Sequence, residues 1–325
     1  MKIRVSLLQR LADGRFHSGE ALGARLGISR AGVWKQVQRL KALGVAIHSV
    51  RGRGHRLLHP IELLSSENIQ GRIGDRARAL LSEIEVIPEV DSTNTLLKAR
   101  ATQGAPSGSV CLAEYQRAGR GRQGKGWVSP FGSNLYLSLL WRFSTGPAAL
   151  AGLSLVVGVA LARALEQCTG QPVGLKWPND LLWQGRKLGG ILIEVAGETS
   201  GPTYGIIGVG VNVQMPEGAG DEIGQPWTDI SCLTGRPVSR NALSAAVLEQ
   251  LAVALQTFET QGSAVFLDAW RDLDVTAGKA VELHLADRII GGQARGIDES
   301  GALMIQVGGE IRRFSSGEVS LRMPT

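Results

Sequence analysis

The sequence predicts a multidomain α/β chain with a small helical front carrying a β-hairpin, a larger α/β body and a β-rich tail. Three observations carry this reading. The chain has 325 residues, more than one hydrophobic core usually spans, and 43% of them are hydrophobic, enough for separate cores. Residues 1–65 hold 12 Lys and Arg against 3 Asp and Glu, whereas the remainder holds 23 against 26, so a basic front adjoins a slightly acidic body. From Ala280 onward, short strand patterns alternate with turns at Asp287, residues 298–301 and Gly308-Gly309. The 43 glycines keep no three-residue period and the 12 prolines are scattered, which excludes collagen-like and low-complexity chains.

In the front, Val5, Leu7, Leu8 and Leu11 fall at helical spacing and stop at Asp13-Gly14, predicting a helix over residues 3–12. Ser18 can cap a short helix through Ala21, Leu22 and Leu26, which Gly27 ends. Ser29 can cap a longer one through Val33, Val37, Leu40 and Leu43, which Gly44 ends. Short helix, glycine turn and longer helix make a helix-turn-helix. The outward positions of the longer helix, Arg30, Trp34, Lys35, Gln38, Arg39 and Lys41, supply donors for phosphates and base edges. Residues 45–50 then alternate as a strand into Arg51-Gly52-Arg53-Gly54, a hairpin tip whose Arg51 and Arg53 suit a wing against a DNA backbone. The same pattern also serves a small basic domain that docks protein or RNA.

His17, His48, His55 and His59 lie in the front and the fifth histidine is His284, so residues 60–283 contain none. A Ser-His-Asp triad or an HExxH zinc site is thereby excluded from the body, and its chemistry must come from charge neutralisation and positioning. Cys111, Cys168 and Cys232 are odd in number and lack metal-ligand spacing, and the first residues have no signal-peptide pattern; a reducing cytoplasm is the expected setting. The uncharged run 143–162 is interrupted at Ser144-Thr145-Gly146-Pro147, leaving an apolar helix over 150–162 expected in a core rather than a membrane.

The strongest motif is Gly119-Arg120-Gly121-Arg122-Gln123-Gly124-Lys125-Gly126-Trp127, after an expected strand over 110–116. Glycines let backbone N–H groups face phosphate oxygens, and the interleaved cations offset charge on a phosphoryl group. Gly126 stands where a Walker A loop needs Ser or Thr, and Trp127-Val128-Ser129-Pro130 does not open a helix, so that loop type is rejected. A flexible RGG-like RNA contact remains open for this tract alone. Lys176-Trp177-Pro178-Asn179-Asp180 and Lys187-Leu188-Gly189-Gly190-Ile191 place two lysines around one hairpin, suited to an acidic substrate. Asp91-Ser92-Thr93-Asn94 opens a helix through Leu97 either as a cap or as ligand donors, and Gly208-Val209-Gly210-Val211-Asn212 ends an apolar strand.

Taken together and in this order, these five motifs resemble those of biotin protein ligases, and with the basic front the chain resembles the bifunctional members that also repress a biotin operon. The resemblance runs from about residue 3 to the C-terminus. It implies a winged helix-turn-helix DNA-binding domain (1–62), a class II aminoacyl-tRNA-synthetase-like α/β domain for biotin and ATP (63–275) and an SH3-like C-terminal β-barrel (276–325). It also implies formation of biotinyl-5′-AMP from biotin and MgATP, then transfer to a lysine of the biotin carboxyl carrier protein. By position, Ser92, Thr93, Asn94, Gln116, Arg120, Gly121, Arg122 and Lys187 bind biotin; Lys187, Arg120 and Arg122 are catalytic; Arg122, Trp127, Asn179 and Asn212 face ATP. Asp180 holds Mg²⁺ or buttresses a cation. Lys125 replaces the family's common Arg and Gly189 its common Ala, so a two-pronged contact by Lys125 is not implied. The resemblance further implies a homodimer induced by the adenylate, which orders the glycine-rich loop and strengthens operator binding. Two alternatives stand beside it: a ligase whose front domain tunes catalysis or docks a protein, and a ligand-sensing DNA-binding regulator without catalysis.

Overall fold

The computed structural model describes residues 2–59, 61–197, 202–285, 287–315 and 320–323, with the backbone alone for residues 2–5. The front comprises α1 (Lys2–Leu11), α2 (Gly19–Leu26), α3 (Arg30–Ala42), β1 (Ile47–Val50) and β2 (Gly54–Leu57). Both predicted serine caps form: Ser18 Oγ accepts from the Ala21 N–H at 3.0 Å and Ser29 Oγ from the Gly32 N–H at 3.1 Å. Leu7, Leu8, Leu11, Leu22, Val33, Val37, Leu40, Ile47 and Leu57 form one core, which Phe131 of the body completes. Val5 sits in α1, but its predicted core side chain lies outside the described residues. The alternating run 45–50 is in strand only from Ile47.

The body contains α4 (Ser66–Gln70), α5 (Asp75–Arg78), β3 (Ile84–Ile87), α6 (Thr93–Thr102), β4 (Val110–Ala113), β5 (Leu135–Phe143), α7 (Leu153–Thr169), β6 (Gly174–Lys176), β7 (Asp180–Trp183), β8 (Arg186–Gly197), β9 (Thr203–Val211), α8 (Ile230–Thr234), α9 (Arg240–Gln261) and α10 (Ala264–Leu273). Its seven strands run in the order β3-β4-β5-β9-β8-β7-β6. The β3–β4 pair is parallel and the other pairs are antiparallel. Both faces are covered, which is why β4 reads as the unbroken apolar run VCLA: Val110 and Leu112 enter the large core with α7 and α9, while Cys111 enters a second cluster with Leu97 and Ala101 of α6.

The apolar helix starts later and runs further than its sequence suggests. Residues Pro147–Leu150 make a 3₁₀ turn, and α7 continues to Thr169 with twelve buried positions. The segment Pro147–Thr169 is long and apolar enough to cross a membrane, yet here it is the mostly buried core helix. At the entry to the body, Arg240 donates to Glu114 at 2.8 Å and also to the carbonyls of Glu62 and Asn134, and both charged side chains are buried. This clasp joins the segment after the front to the start of α9.

The tail is a five-stranded antiparallel sheet, β13-β12-β11-β10-β14, formed by β10 (Ala280–His284), β11 (Ile289–Ile297), β12 (Leu303–Val307), β13 (Glu310–Phe314) and β14 (Ser320–Arg322). Four strands are legible in the sequence. The fifth, only three residues long, pairs Leu321 with Leu283. Trp177 Nε1 donates to the Gly301 carbonyl at 3.2 Å, tying the tail to the hairpin that carries Asp180. The three-part architecture is the expected one: a winged helix-turn-helix, a mixed α/β body of the class II synthetase kind and a small antiparallel β module.

Candidate active site and nucleic-acid interface

The loop after β4 is shaped by its glycines and fixed by its cations. The strand stops at Ala113, so Gln116 lies beyond it, bridged in parallel to Val90. A Cβ on Gly119 would lie 2.7 Å from the Trp127 carbonyl oxygen, so the two limbs approach closely only with glycine there. The tip turns through Gln123 (φ 55) and Gly124 (φ 70), both in the left-handed region. Arg120 Nη2 donates to Glu194 Oε2 at 2.8 Å and Arg122 Nη1 to Asn179 Oδ1 at 3.3 Å. Arg117 donates to Asp91 and Glu89. The loop therefore has side-chain ties in addition to its turns, more than glycine content alone suggests. Lys125 is exposed and joins none of them.

Beside this loop, Asp180 lies between two ammonium groups, Lys176 Nζ at 2.9 Å and Lys187 Nζ at 2.6 Å. Burial pushes the Asp180 carboxyl upward, but Lys187 and then Lys176 outweigh it and hold the group below its usual range. One carboxylate against two lysines leaves surplus positive charge, to which Arg122 adds; burial lowers the Arg122 pKa against the pull of Asp180. Such a cluster stabilises anions. Lys187 Nζ stands 5.7 Å from the Trp127 ring centroid, and Cβ atoms on Gly190 or Gly210 would press into that indole, at 3.3 Å and 2.4 Å. Trp127 Nε1 is buried without a hydrogen-bond partner among the described residues.

Of the two roles that its sequence position allows Asp180, the geometry displays the contact with cations. Both carboxylate oxygens face ammonium groups, and among the described residues no group of three or more His, Cys, Asp or Glu is disposed to hold a metal ion.

A buried polar network lies at the start of α6. Ser92 takes the N-cap position, but its side chain makes no capping bond. The Thr93 N–H and hydroxyl both donate to Gln116 Oε1, at 2.9 and 3.2 Å, and Gln116 Nε2 donates to Ser129 Oγ at 3.2 Å. Asn94 Nδ2 donates to the Leu192 carbonyl and to Glu194 Oε2. Ser138 Oγ lies 2.7 Å from Thr93 Oγ1 and 2.6 Å from Asn94 Oδ1. Glu194 thus links this network to Arg120. A dense array of buried donors and acceptors suits a compact polar group of amide or urea character.

Asn179 and Asn212 are engaged structurally. Asn179 Nδ2 donates to the Ile191 carbonyl at 2.8 Å, and Asn212 Nδ2 to the Thr228 carbonyl at 3.0 Å. The latter bond helps lay segment 226–228 along Lys187, whose backbone pairs with Pro226 and Thr228. Ser138 and Glu194, which the structure brings to Asn94, were not singled out in the sequence. Ser138 interrupts the apolar run 135–141 and Glu194 the apolar run 188–197, the one signal that marks them.

On the front, Arg30, Trp34, Lys35, Gln38 and Arg39 are exposed along one side of α3, and Arg51 and Arg53 are exposed at the hairpin tip. None of these five cations is ion-paired among the described residues. Burial, with Lys41 and Arg30 nearby, lowers the pKa of His55, a local sign of the positive field.

Fold and site together define an enzyme body built to bring anions together, joined to a helix-turn-helix domain. Comparison with known proteins makes the assignment specific. Residues 4–56 match the HTH domain, 86–212 the biotin/lipoate A/B protein ligase family and 276–322 the biotin protein ligase C terminal domain. The bifunctional ligase/repressor BirA of Salmonella typhimurium is 42% identical over 320 residues, covering 98% of each chain. The biotin--[acetyl-CoA-carboxylase] ligase of Mycobacterium tuberculosis is 35% identical over 73% of this chain and 88% of its own. The solved structure of Aquifex aeolicus biotin protein ligase in complex with biotin and ATP superposes with TM-score 0.66 at 31% identity, over 75% of this chain and 100% of that one. The chain belongs to the biotin protein ligase family.

Proposed function

We propose that this protein is an ATP-dependent biotin protein ligase and an adenylate-dependent transcriptional repressor, divided at residues 1–62, 63–275 and 276–325. It forms biotinyl-5′-AMP from biotin and MgATP and transfers biotin to a lysine of the biotin carboxyl carrier protein. The observation that carries the ligase reading is the surplus of positive charge at Lys187, Lys176 and Arg122 around Asp180, together with the buried network of Thr93, Asn94, Gln116 and Ser138, which Glu194 ties to Arg120 of the same loop, and with Ser92 buried at its edge.

The network offers both donors and acceptors to the ureido ring of biotin, leaving the acid end to extend toward the cations. The carboxylate and the α-phosphate repel each other; Lys187 and Arg122 offset the charge that grows as a carboxylate oxygen attacks phosphorus and diphosphate leaves. Arg120, held by Glu194, and Gly121 line the same path. Trp127 and Asn179 serve the nucleotide, and Asn212, which donates to the Thr228 carbonyl, acts with them through that segment. Mg²⁺ enters with ATP as substrate. Acyl transfer then needs only an acceptor amine aligned with the activated carbonyl. The test is to mix pure protein, biotin, MgATP and a carrier domain and to find biotin added covalently to the carrier by mass; no mass shift refutes the ligase and favours a ligand-sensing regulator.

The repressor reading rests on the exposed cations of α3 and the wing, none of them ion-paired among the described residues. A two-fold dimer engages two half-sites at once, so an adenylate that favours dimer formation also raises DNA affinity. Sedimentation and operator binding with no ligand, with biotin and with a non-hydrolysable adenylate analogue test the coupling. Operator affinity and association state unchanged by ligand would refute it, and no operator binding under any condition would favour a ligase whose front domain docks protein.

A further inference from the structure

Phe16 lies between α1 and α2, outside the hydrophobic core of the front, and is only half-buried. Two arginines of the wing stand over its ring: the Arg53 guanidinium carbon is 4.4 Å from the ring centroid and that of Arg56 is 5.0 Å. His48, paired with Arg56 across the hairpin, approaches the same ring at 5.7 Å between centroids. The arrangement is enforced from the backbone. His17 and His55 exchange two N–H to O bonds of 2.9 Å, zipping the residue after Phe16 to the second wing strand. A Cβ on Gly54 would lie 1.9 Å from the His17 carbonyl oxygen, so only glycine permits that approach.

Neither arginine has a carboxylate partner among the described residues, and Arg56 Nε is buried without a hydrogen bond. Two like charges so placed repel each other, and an apolar ring outside the core would ordinarily be an unremarkable surface phenyl. The negative face of a phenyl ring attracts guanidinium groups while leaving their edge N–H donors free for phosphate oxygens. From this geometry we infer that Phe16 is a positioning residue for nucleic-acid binding: it holds Arg53 and Arg56 as a paired clamp for the sugar-phosphate backbone. The inference rests on the reading of the front as a DNA-binding domain.

A wing clamp of this kind grips any B-form duplex, so no operator is needed. The experiment measures binding of the full chain to a random-sequence 30-base-pair duplex across a salt series, for wild type, Phe16→Leu, Phe16→Tyr, Arg53→Ala/Arg56→Ala and the triple variant, with thermal unfolding recorded alongside. Phe16→Leu keeps apolar bulk and removes the ring face, and should weaken binding by about five-fold or more, with Phe16→Tyr near wild type. In the Arg53→Ala/Arg56→Ala background, whose salt slope should fall by about 1 to 2, Phe16→Leu should have no further effect. A Phe16→Leu loss of equal size in both backgrounds, or none in either, overturns the clamp while leaving the DNA-binding reading intact. A wild-type chain that binds no duplex at low salt overturns both. If Phe16→Leu fails to fold, Phe16→Tyr against Phe16→Met carries the same comparison.

Discussion

Replacing Lys187 by Ala should separate the chemistry of the site from its stability. The Lys187 ammonium is 2.6 Å from Asp180 and its side chain is only 17% exposed, while Lys176 remains on the other carboxylate oxygen at 2.9 Å. Because one partner survives, the folding cost should be about 1–3 kcal/mol, that of a buried polar group losing one of its contacts. At the transition state no substitute exists for a charge aimed at the carboxylate and phosphate, and loss of one such contact costs about 2.7–4 kcal/mol, or a factor of about 10² to 10³ in rate. The pH dependence has a definite sign. The folded Asp180 carboxyl lies below its ordinary value of 3.8, so the stability difference between wild type and variant should be complete above that value and close as pH falls through the folded one. Adding Asp180→Asn should restore part of the stability by relieving the buried carboxylate, without restoring the rate. Rapid-quench formation of biotinyl-adenylate, with thermal unfolding at pH 7 and pH 3, measures both quantities. Adenylate formation within two-fold of wild type would refute the role of Lys187, and a stability gap that widens in acid would refute the charge argument.

Ser138→Ala leaves Thr93 and Asn94 short of a buried partner and should weaken biotin binding roughly ten-fold or more, measured by titration calorimetry; an unchanged Kd removes Ser138 from the network's function. Gly54→Ala places a Cβ against the His17 carbonyl at φ +102 and should cost the front domain more than about 2 kcal/mol, abolishing duplex binding while carrier biotinylation persists. Burial pushes the Cys111 thiol up to about 12, so at pH 8 a disulfide reagent should label exposed Cys232 first and Cys111 only as fast as the chain opens; prompt labelling of Cys111 in mass-mapped peptides would refute its burial.

Local chemistry was legible in the sequence wherever neighbours along the chain determine it. Ser18 and Ser29 cap their helices because a hydroxyl reaches an N–H three residues on, and the alternating strands of the tail need only a period of two. The glycine-arginine loop and the lysine-bearing hairpin also announced anion chemistry, because few other roles suit cations set among glycines. What only the tertiary structure decided was pairing. Whether Asp180 faces a metal or two lysines depends on a β7–β8 register that brings Lys187 across to it, seven residues away in sequence. Ser138 and Glu194 sit in apolar strands whose local pattern marks them as odd, but only strand order brings them to Asn94. Likewise the apolar character of α7 follows from its residues alone, whereas its burial inside the body rather than in a lipid layer follows from α9 and the sheet that cover it. Hydrophobicity and caps act over a few residues and can be read directly; the partners of a buried charge are set by contacts between distant segments, which composition does not encode.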